Sequence, residues 1–304
     1  MNPSCPTCHA PLAGATAGAR STCPACGADG GPARAPWCSP PEPDLTGESL
    51  GGFQLAARLG ADDSGVLYAA EGPTGPCAVR VLPTHVTADA ERRTSFHREV
   101  DVLRRVRHPG LVHAISAGEE RGRCWYAMAP TTAPDLKTRL DRVNALPWQE
   151  VEQMAMQVLD ALGAAHESGL VHGDLRPESL LLGPEGVQLW RFGLSLVPPG
   201  AHPAQAPEQR RWGRAAAQSD LYALGHVLYE ALTGGAPGSR PLPPSVPPHL
   251  CRLVRGLLSE RIEGRPDSAE AARRLLARRV PVGPLAVGGA VLMALAMYAL
   301  LRAG

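Results

Sequence analysis

Four cysteines near the start of the chain form two CxxC pairs, Cys5 with Cys8 in CPTC and Cys23 with Cys26 in CPACG. A CxxC turn presents two thiolates on one side, so two turns supply the four ligands that a structural Zn²⁺ takes in tetrahedral geometry. The fourteen residues between the pairs fall just short of the usual spacing of such sites. Gly27, directly after the second pair, lets the backbone approach the ligands. Residues 1–30 are too few to bury a core, so the metal must stabilise this segment as a zinc ribbon. His9 is an alternative ligand, although with four thiolates available a solvated imidazole is the simpler reading. Cys38, Cys77, Cys124 and Cys251 are scattered and outline no disulfide framework. The opening MNPSCPTC has neither the basic start nor the apolar run of a secretory signal, so a reducing cytoplasm is expected.

These ligands need elements to carry them, and the composition says how many bodies the chain can build. With 304 residues, 44% of them hydrophobic, it can form one large domain or two modest ones with small appendages. Lys+Arg 30 against Asp+Glu 29 leaves a net charge of +1, so no bulk field steers the chain to nucleic acid. Arg20 and Arg34 alone flank the cysteines, which makes nucleic acid an unlikely partner for the ribbon as well. Residues 31–48 contain five prolines and no apolar period, as in an extended linker. Residues 280–301 carry no charge, and twenty-two residues of helix span roughly 33 Å, enough for one transmembrane helix. Arg273, Arg274, Arg278 and Arg279 precede this run and Arg302 alone follows it. The positive-inside rule then places the preceding domains in the cytoplasm of a single-pass cell (inner) membrane protein.

Between 49 and 279 the pattern starts strand-like, in GFQLAARLG, SGVLYAAEG and PCAVRVLP, and turns helical from about 148 onward. Strands first and helices later predict an α+β, two-lobed body. The ordered motifs HPGLV, LVHGDLRPESLLL, RFG, APEQ and SDLYALGHVLYEALTG resemble those of bacterial serine/threonine protein kinases. The resemblance spans about 230 residues and implies the two-lobed protein-kinase fold.

The resemblance also assigns roles by position. In the Gly-rich loop Gly60, Gly65 and Val66 match, but Asp62 replaces the middle glycine and Asp63 adds a second carboxylate, both repulsive to a triphosphate. The phosphate-binding lysine falls on Arg80, with Glu99 as its helix partner. Lys137 is the chain's one lysine and lies after the hinge, so no lysine reaches the phosphates. Asp174 keeps the catalytic-base position, Arg176 stands where a lysine steadies the γ-phosphate, and Gly173 replaces an arginine that senses activation-loop phosphorylation. Ser179 replaces one metal-binding residue and Arg191 replaces the metal-binding aspartate. A guanidinium offers Mg²⁺ no oxygen. Glu178 and Asp62 are the nearby carboxylates that could substitute, and Arg191 is expected to pair with Asp174 or to meet an anionic ligand in place of the metal.

The scaffold positions match throughout: Leu103, His172 and Phe192 as a stacked spine, Glu208 with Arg265 as a buried ion pair, and Asp220 as the anchor of the catalytic loop. Twelve residues, 194–205, separate RFG from APE, and Ser195 is their one hydroxyl. The six prolines between Gly234 and Pro248 replace a longer substrate-docking region. The expected protein is a membrane-anchored pseudokinase that scaffolds or regulates protein partners, with structural Zn²⁺, a site that admits ATP, and no Mg²⁺. The alternatives are an active atypical serine/threonine kinase, and a zinc-ribbon binding module carried on a membrane anchor.

Overall fold

The computed structural model describes residues 21–22, 29–30, 42–62, 65–130, 133–192 and 202–277. The expected ligands Cys5, Cys8, Cys23 and Cys26, the apolar run 280–301, and Asp63 and Ser64 of the Gly-rich loop lie outside these residues. Among the described residues no helix is long and apolar enough to cross a membrane. β1 (Ser21–Thr22) and β2 (Asp29–Gly30) pair antiparallel on either side of the second CxxC.

The body begins with an antiparallel sheet of six strands: β3 (Ser49–Leu50), β4 (Phe53–Asp62), β5 (Gly65–Gly72), β6 (Gly75–Val81), β7 (Ala114–Glu120) and β8 (Arg123–Met128). They are arranged in the order β3-β4-β5-β6-β8-β7. The short α1 (Thr84–Thr87) and the longer α2 (Ala90–Arg105) lie between β6 and β7 in sequence. Strand alternation sorts the side chains of β6. Cys77, Val79 and Val81 join a small cluster with Phe53, Leu55, Tyr68 and Trp125. Ala78 faces the other way, into the main core, and Arg80 shares its side of the strand. That side meets α2, whose Phe96, Val100 and Leu103 are buried at helical spacing. Asp89 starts α2 by accepting hydrogen bonds from the backbone N–H groups of Glu91 and Arg92 at 2.9 and 3.1 Å.

Part of the expected linker is a strap on this sheet. Glu42 accepts hydrogen bonds from the Thr84 N–H at 2.7 Å and from Arg123 at 3.2 Å. Leu45 is buried, and its N–H donates to the Tyr68 hydroxyl at 3.1 Å. A leucine and a carboxylate with partners in place order the chain from about 42, despite the prolines before it.

The second lobe is mainly helical: α3 (Leu136–Val143), α4 (Trp148–Glu167), α5 (Pro207–Trp212), α6 (Ala217–Thr233), α7 (Pro248–Leu257) and α8 (Ala269–Ala277). The hairpin of β9 (Leu180–Gly183) and β10 (Gly186–Leu189) lies among them. α6 is apolar on nearly every side, with Leu221, Leu224, Val227, Leu228 and Leu232 all buried, as befits a helix at the centre of its lobe. Gly225 lets α7 approach closely, since a Cβ there would come within 2.9 Å of the Leu257 side chain. The predicted order of strands followed by helices is the observed one.

Candidate functional site

The loop His172–Ser179 lies between the lobes, and its shape is imposed from below by α6. The Asp220 carboxylate is 1% exposed and accepts the N–H groups of His172 and Gly173, each at 2.8 Å, while His166 Nε2 lies 2.8 Å from its Oδ2. Two backbone amides on one buried carboxylate hold the loop rigidly, because each bond to a charged acceptor is stronger than a neutral one. Gln209 of α5 adds a bond to the Gly173 carbonyl at 2.8 Å.

His172 is fully buried and its ring lies 4.6 Å, centroid to centroid, from that of Phe192. Burial pushes its pKa below the usual imidazole value, although the Asp220 and Asp174 charges oppose this. The neutral ring donates from Nε2 to the Trp190 carbonyl at 3.0 Å, which leaves Nδ1 to accept the Asp174 N–H at 3.3 Å. Leu103 of α2 is buried in the same core. All three expected spine residues are therefore core residues, two of them in ring contact.

Asp174 is 2% exposed, and neither of its oxygens is open. Arg176 Nη2 lies 3.0 Å from Oδ2, and His202 Nε2 lies 2.7 Å from Oδ1. Burial alone would raise the carboxyl pKa, but the His202 hydrogen bond and the Arg176 charge outweigh it and hold the group below the usual carboxylate range. Arg176, expected to face a phosphate, is thus committed to the neighbouring carboxylate. Ser179 is turned into the loop: its hydroxyl donates to the Arg176 carbonyl at 2.7 Å and accepts the Arg176 N–H at 2.8 Å. Its oxygen closes a turn of helix rather than facing the cleft.

Arg191 occupies the left-handed region, with φ 59°, a conformation that non-glycine side chains seldom adopt and that clusters at functional positions. Its guanidinium carbon lies 5.6 Å from the centre of the Trp190 ring. Across the cleft Arg80 is 2% exposed, paired in register with Leu67 on one side and Tyr126 on the other, and Glu99 is half-buried on α2. Gly60 and Gly65 lie at facing ends of β4 and β5, and Val66 is buried. Gly65 has φ +129°, and a Cβ there would stand 2.2 Å from the Val81 carbonyl oxygen, so no other residue fits. At the base of the lobe Arg265 meets Glu208 through two bonds of 2.7 and 2.9 Å.

Of the expected positions, the structure joins Arg176 to both Asp174 and Ser179, and adds His202, which sequence reasoning missed, to Asp174. His202 escaped notice because nothing in its local pattern marks it. The available signal was that it is the one ionisable side chain in residues 194–205.

A divalent cation such as Mg²⁺ needs several oxygen donors at short range. Here Asp174 is committed to Arg176 and His202, the Ser179 hydroxyl to the backbone, and the third position carries a guanidinium. Among the described residues, these three positions do not offer Mg²⁺ the oxygen donors it needs.

Residues 53–244 match the family described as Protein kinase domain. The chain is 28% identical over 253 residues to serine/threonine-protein kinase AfsK of Streptomyces coelicolor, covering 74% of this chain and 32% of AfsK. It is 32% identical over 267 residues to the DNA damage-responsive serine/threonine-protein kinase RqkA of Deinococcus radiodurans, covering 75% of this chain and 40% of RqkA. The matched part is thus about a third of the length of these curated relatives. The crystal structure of the Mycobacterium tuberculosis PknI kinase domain superposes with a TM-score of 0.66 at 27% identity, covering 78% of this chain and 99% of that one.

Proposed function

Because the chain belongs to the protein kinase family and has its two-lobed fold, we propose that it is a pseudokinase: a kinase-shaped binding module that regulates or scaffolds protein partners. The observation that carries this reading is the state of Asp174. Its oxygens face His202 and Arg176, and the two companion metal positions offer a guanidinium and an inward-turned hydroxyl. Phosphoryl transfer relies on metal ions and positioned cations to stabilise charge on the transferred group. This cleft keeps the cations and lacks the metal donors, which favours an anion-binding site over a transferase. ATP, held by Arg80 and Arg191, is a ligand that such a cleft could take without turnover, stabilising the fold by mass action.

The test is a thermal-shift titration of the chain with ATP, with and without Mg²⁺, beside an autophosphorylation assay. No phosphate incorporation and a shift indifferent to Mg²⁺ are expected. A shift that requires Mg²⁺, with incorporation abolished by Asp174→Asn, would establish the second reading, an atypical serine/threonine kinase. That reading is favoured by a buried, ionised Asp174 in an intact scaffold and by the kinase names of the relatives.

Two further parts of the proposal rest on the sequence. The four N-terminal cysteines form a structural zinc ribbon, a reading supported by the antiparallel pairing of Ser21–Thr22 with Asp29–Gly30 around the second CxxC. Residues 280–301 anchor the chain in the inner membrane with the kinase-fold domain in the cytoplasm. Its partners are then proteins at that surface, with no role for nucleic acid.

A further inference from the structure

Outside the cleft, a second group of ligand atoms meets where α2 crosses the β7–β8 hairpin. Glu119 and Cys124 are directly opposite in the hairpin register and so share a face. α2 lays His97 over that face, and the imidazole nitrogen, carboxylate oxygen and thiol sulfur of the three residues lie within 4.8 Å of one another. His97 Nε2 is 3.5 Å from Glu119 Oε2.

An exposed histidine beside a glutamate is ordinarily a solvated pair. The third member makes this group different, because Cys124 is fully buried, faces the pair, and its thiol makes no hydrogen bond among the described residues. Burial, with the Glu119 charge, pushes its thiol up to about 11, so by itself it is an inert thiol.

We propose that His97, Glu119 and Cys124 form a zinc site, separate from the N-terminal cysteines, that clamps α2 to the sheet. One sulfur, one nitrogen and one carboxylate oxygen are all ordinary Zn²⁺ ligands. Bonds of about 2.0–2.3 Å set tetrahedral ligand atoms about 3.3–3.7 Å apart. The His97 to Glu119 separation already lies in that range, and the remaining separations close by side-chain rotation of about 1 Å. His97 and Glu119 are 43% and 36% exposed, which leaves water access for the fourth position.

Zn²⁺ would displace the Cys124 proton to solvent and hold the thiolate. Arg93, whose Nε lies 3.7 Å from Glu119 Oε2, is the cation the metal would replace, and its bond to the Thr87 carbonyl at 2.9 Å keeps it in place when Glu119 turns. Glu99 stands two residues after His97 on α2, so the clamp fixes the helix that carries a cleft residue.

The test uses the full chain with Cys5, Cys8, Cys23 and Cys26 replaced by serine, titrated with Zn²⁺ against a chromophoric chelator and with Co²⁺ for its thiolate charge-transfer band. One equivalent of Zn²⁺ and a single-thiolate Co²⁺ spectrum are expected. His97→Ala, at a half-exposed position that leaves the core intact, should weaken Zn²⁺ at least tenfold, and Cys124→Ser should abolish the charge-transfer band. Absence of micromolar Zn²⁺ binding in the four-serine chain, or unchanged affinity in His97→Ala with an unaltered circular dichroism spectrum, overturns the proposal.

Discussion

At the scale of single residues, the chemistry turns on a few exchanges of charge. Arg191 and Arg80 put guanidinium groups where the family resemblance expects a carboxylate and an ammonium. A guanidinium offers a metal no oxygen, and its planar fork meets a phosphate with a geometry different from that of an ammonium. Restoring both, with Arg191→Asp and Arg80→Lys, is expected to create a Mg²⁺-dependent thermal shift with ATP that the natural chain lacks. Asp174 supplies a second expectation. Its carboxyl is lowered, so its interactions stabilise the fold above the ordinary carboxylate range and are lost as pH falls through the lowered value. His202→Ala removes the hydrogen bond that opposes burial, so the Asp174 pKa should rise, which a carboxyl-carbon NMR titration would read directly. An unmoved Asp174 titration would show that Arg176 alone holds the charge. The identities of Asp174, Arg176, Ser179 and Arg191 were legible in the sequence. The inward turn of Ser179 and the contact from His202 were not, because each depends on a backbone path and not on a residue type.

At the scale of elements, α6 organises the helical lobe and α2 links it to the sheet. Arg265 is wholly buried against Glu208, which also accepts the Ser219 hydroxyl at 2.8 Å. Removing one partner of such a pair leaves an uncompensated buried charge, so Arg265→Ala should cost about 3–5 kcal/mol in urea unfolding. Arg265→Lys should recover only part of this, since the two-bond geometry needs the planar fork. Leu103→Ala in α2 opens a cavity in the main core, with an expected loss of about 2–5 kcal/mol. The ion pair, the Asp220 anchor and the spine were read from motif order, since each belongs to a recurring local pattern. The strap at residues 42–48 was read as linker because proline content hides a docked segment whose partners, Tyr68, Thr84 and Arg123, are distant in sequence.

At the scale of the whole molecule, buried histidines set the response to acid. His226 on α6 is held down to about 4 by burial, with the Arg210 and His202 charges adding to the effect. The unfolded chain takes up this proton near the ordinary 6.5, so between these values unfolding binds protons and stability falls as pH drops. His172 shifts in the same direction. Urea midpoints should therefore decline from pH 6.5 towards 4, and less steeply in His226→Gln. A profile unchanged by that substitution would place the sensitivity elsewhere. The full chain is also expected to sediment with membranes and resist carbonate extraction, whereas a chain ending at 279 should not. The sequence alone determined the α+β order, the kinase-like motif series and the residue types at the motif positions, because all of these are carried by residue types at short or fixed intervals. Only the tertiary structure decided that Asp174 is shared by Arg176 and His202, that residues 42–48 are docked, and that His97, Glu119 and Cys124 converge. Those contacts join segments far apart in the chain, and their distances depend on how the sheet, α2 and the loops fold against one another.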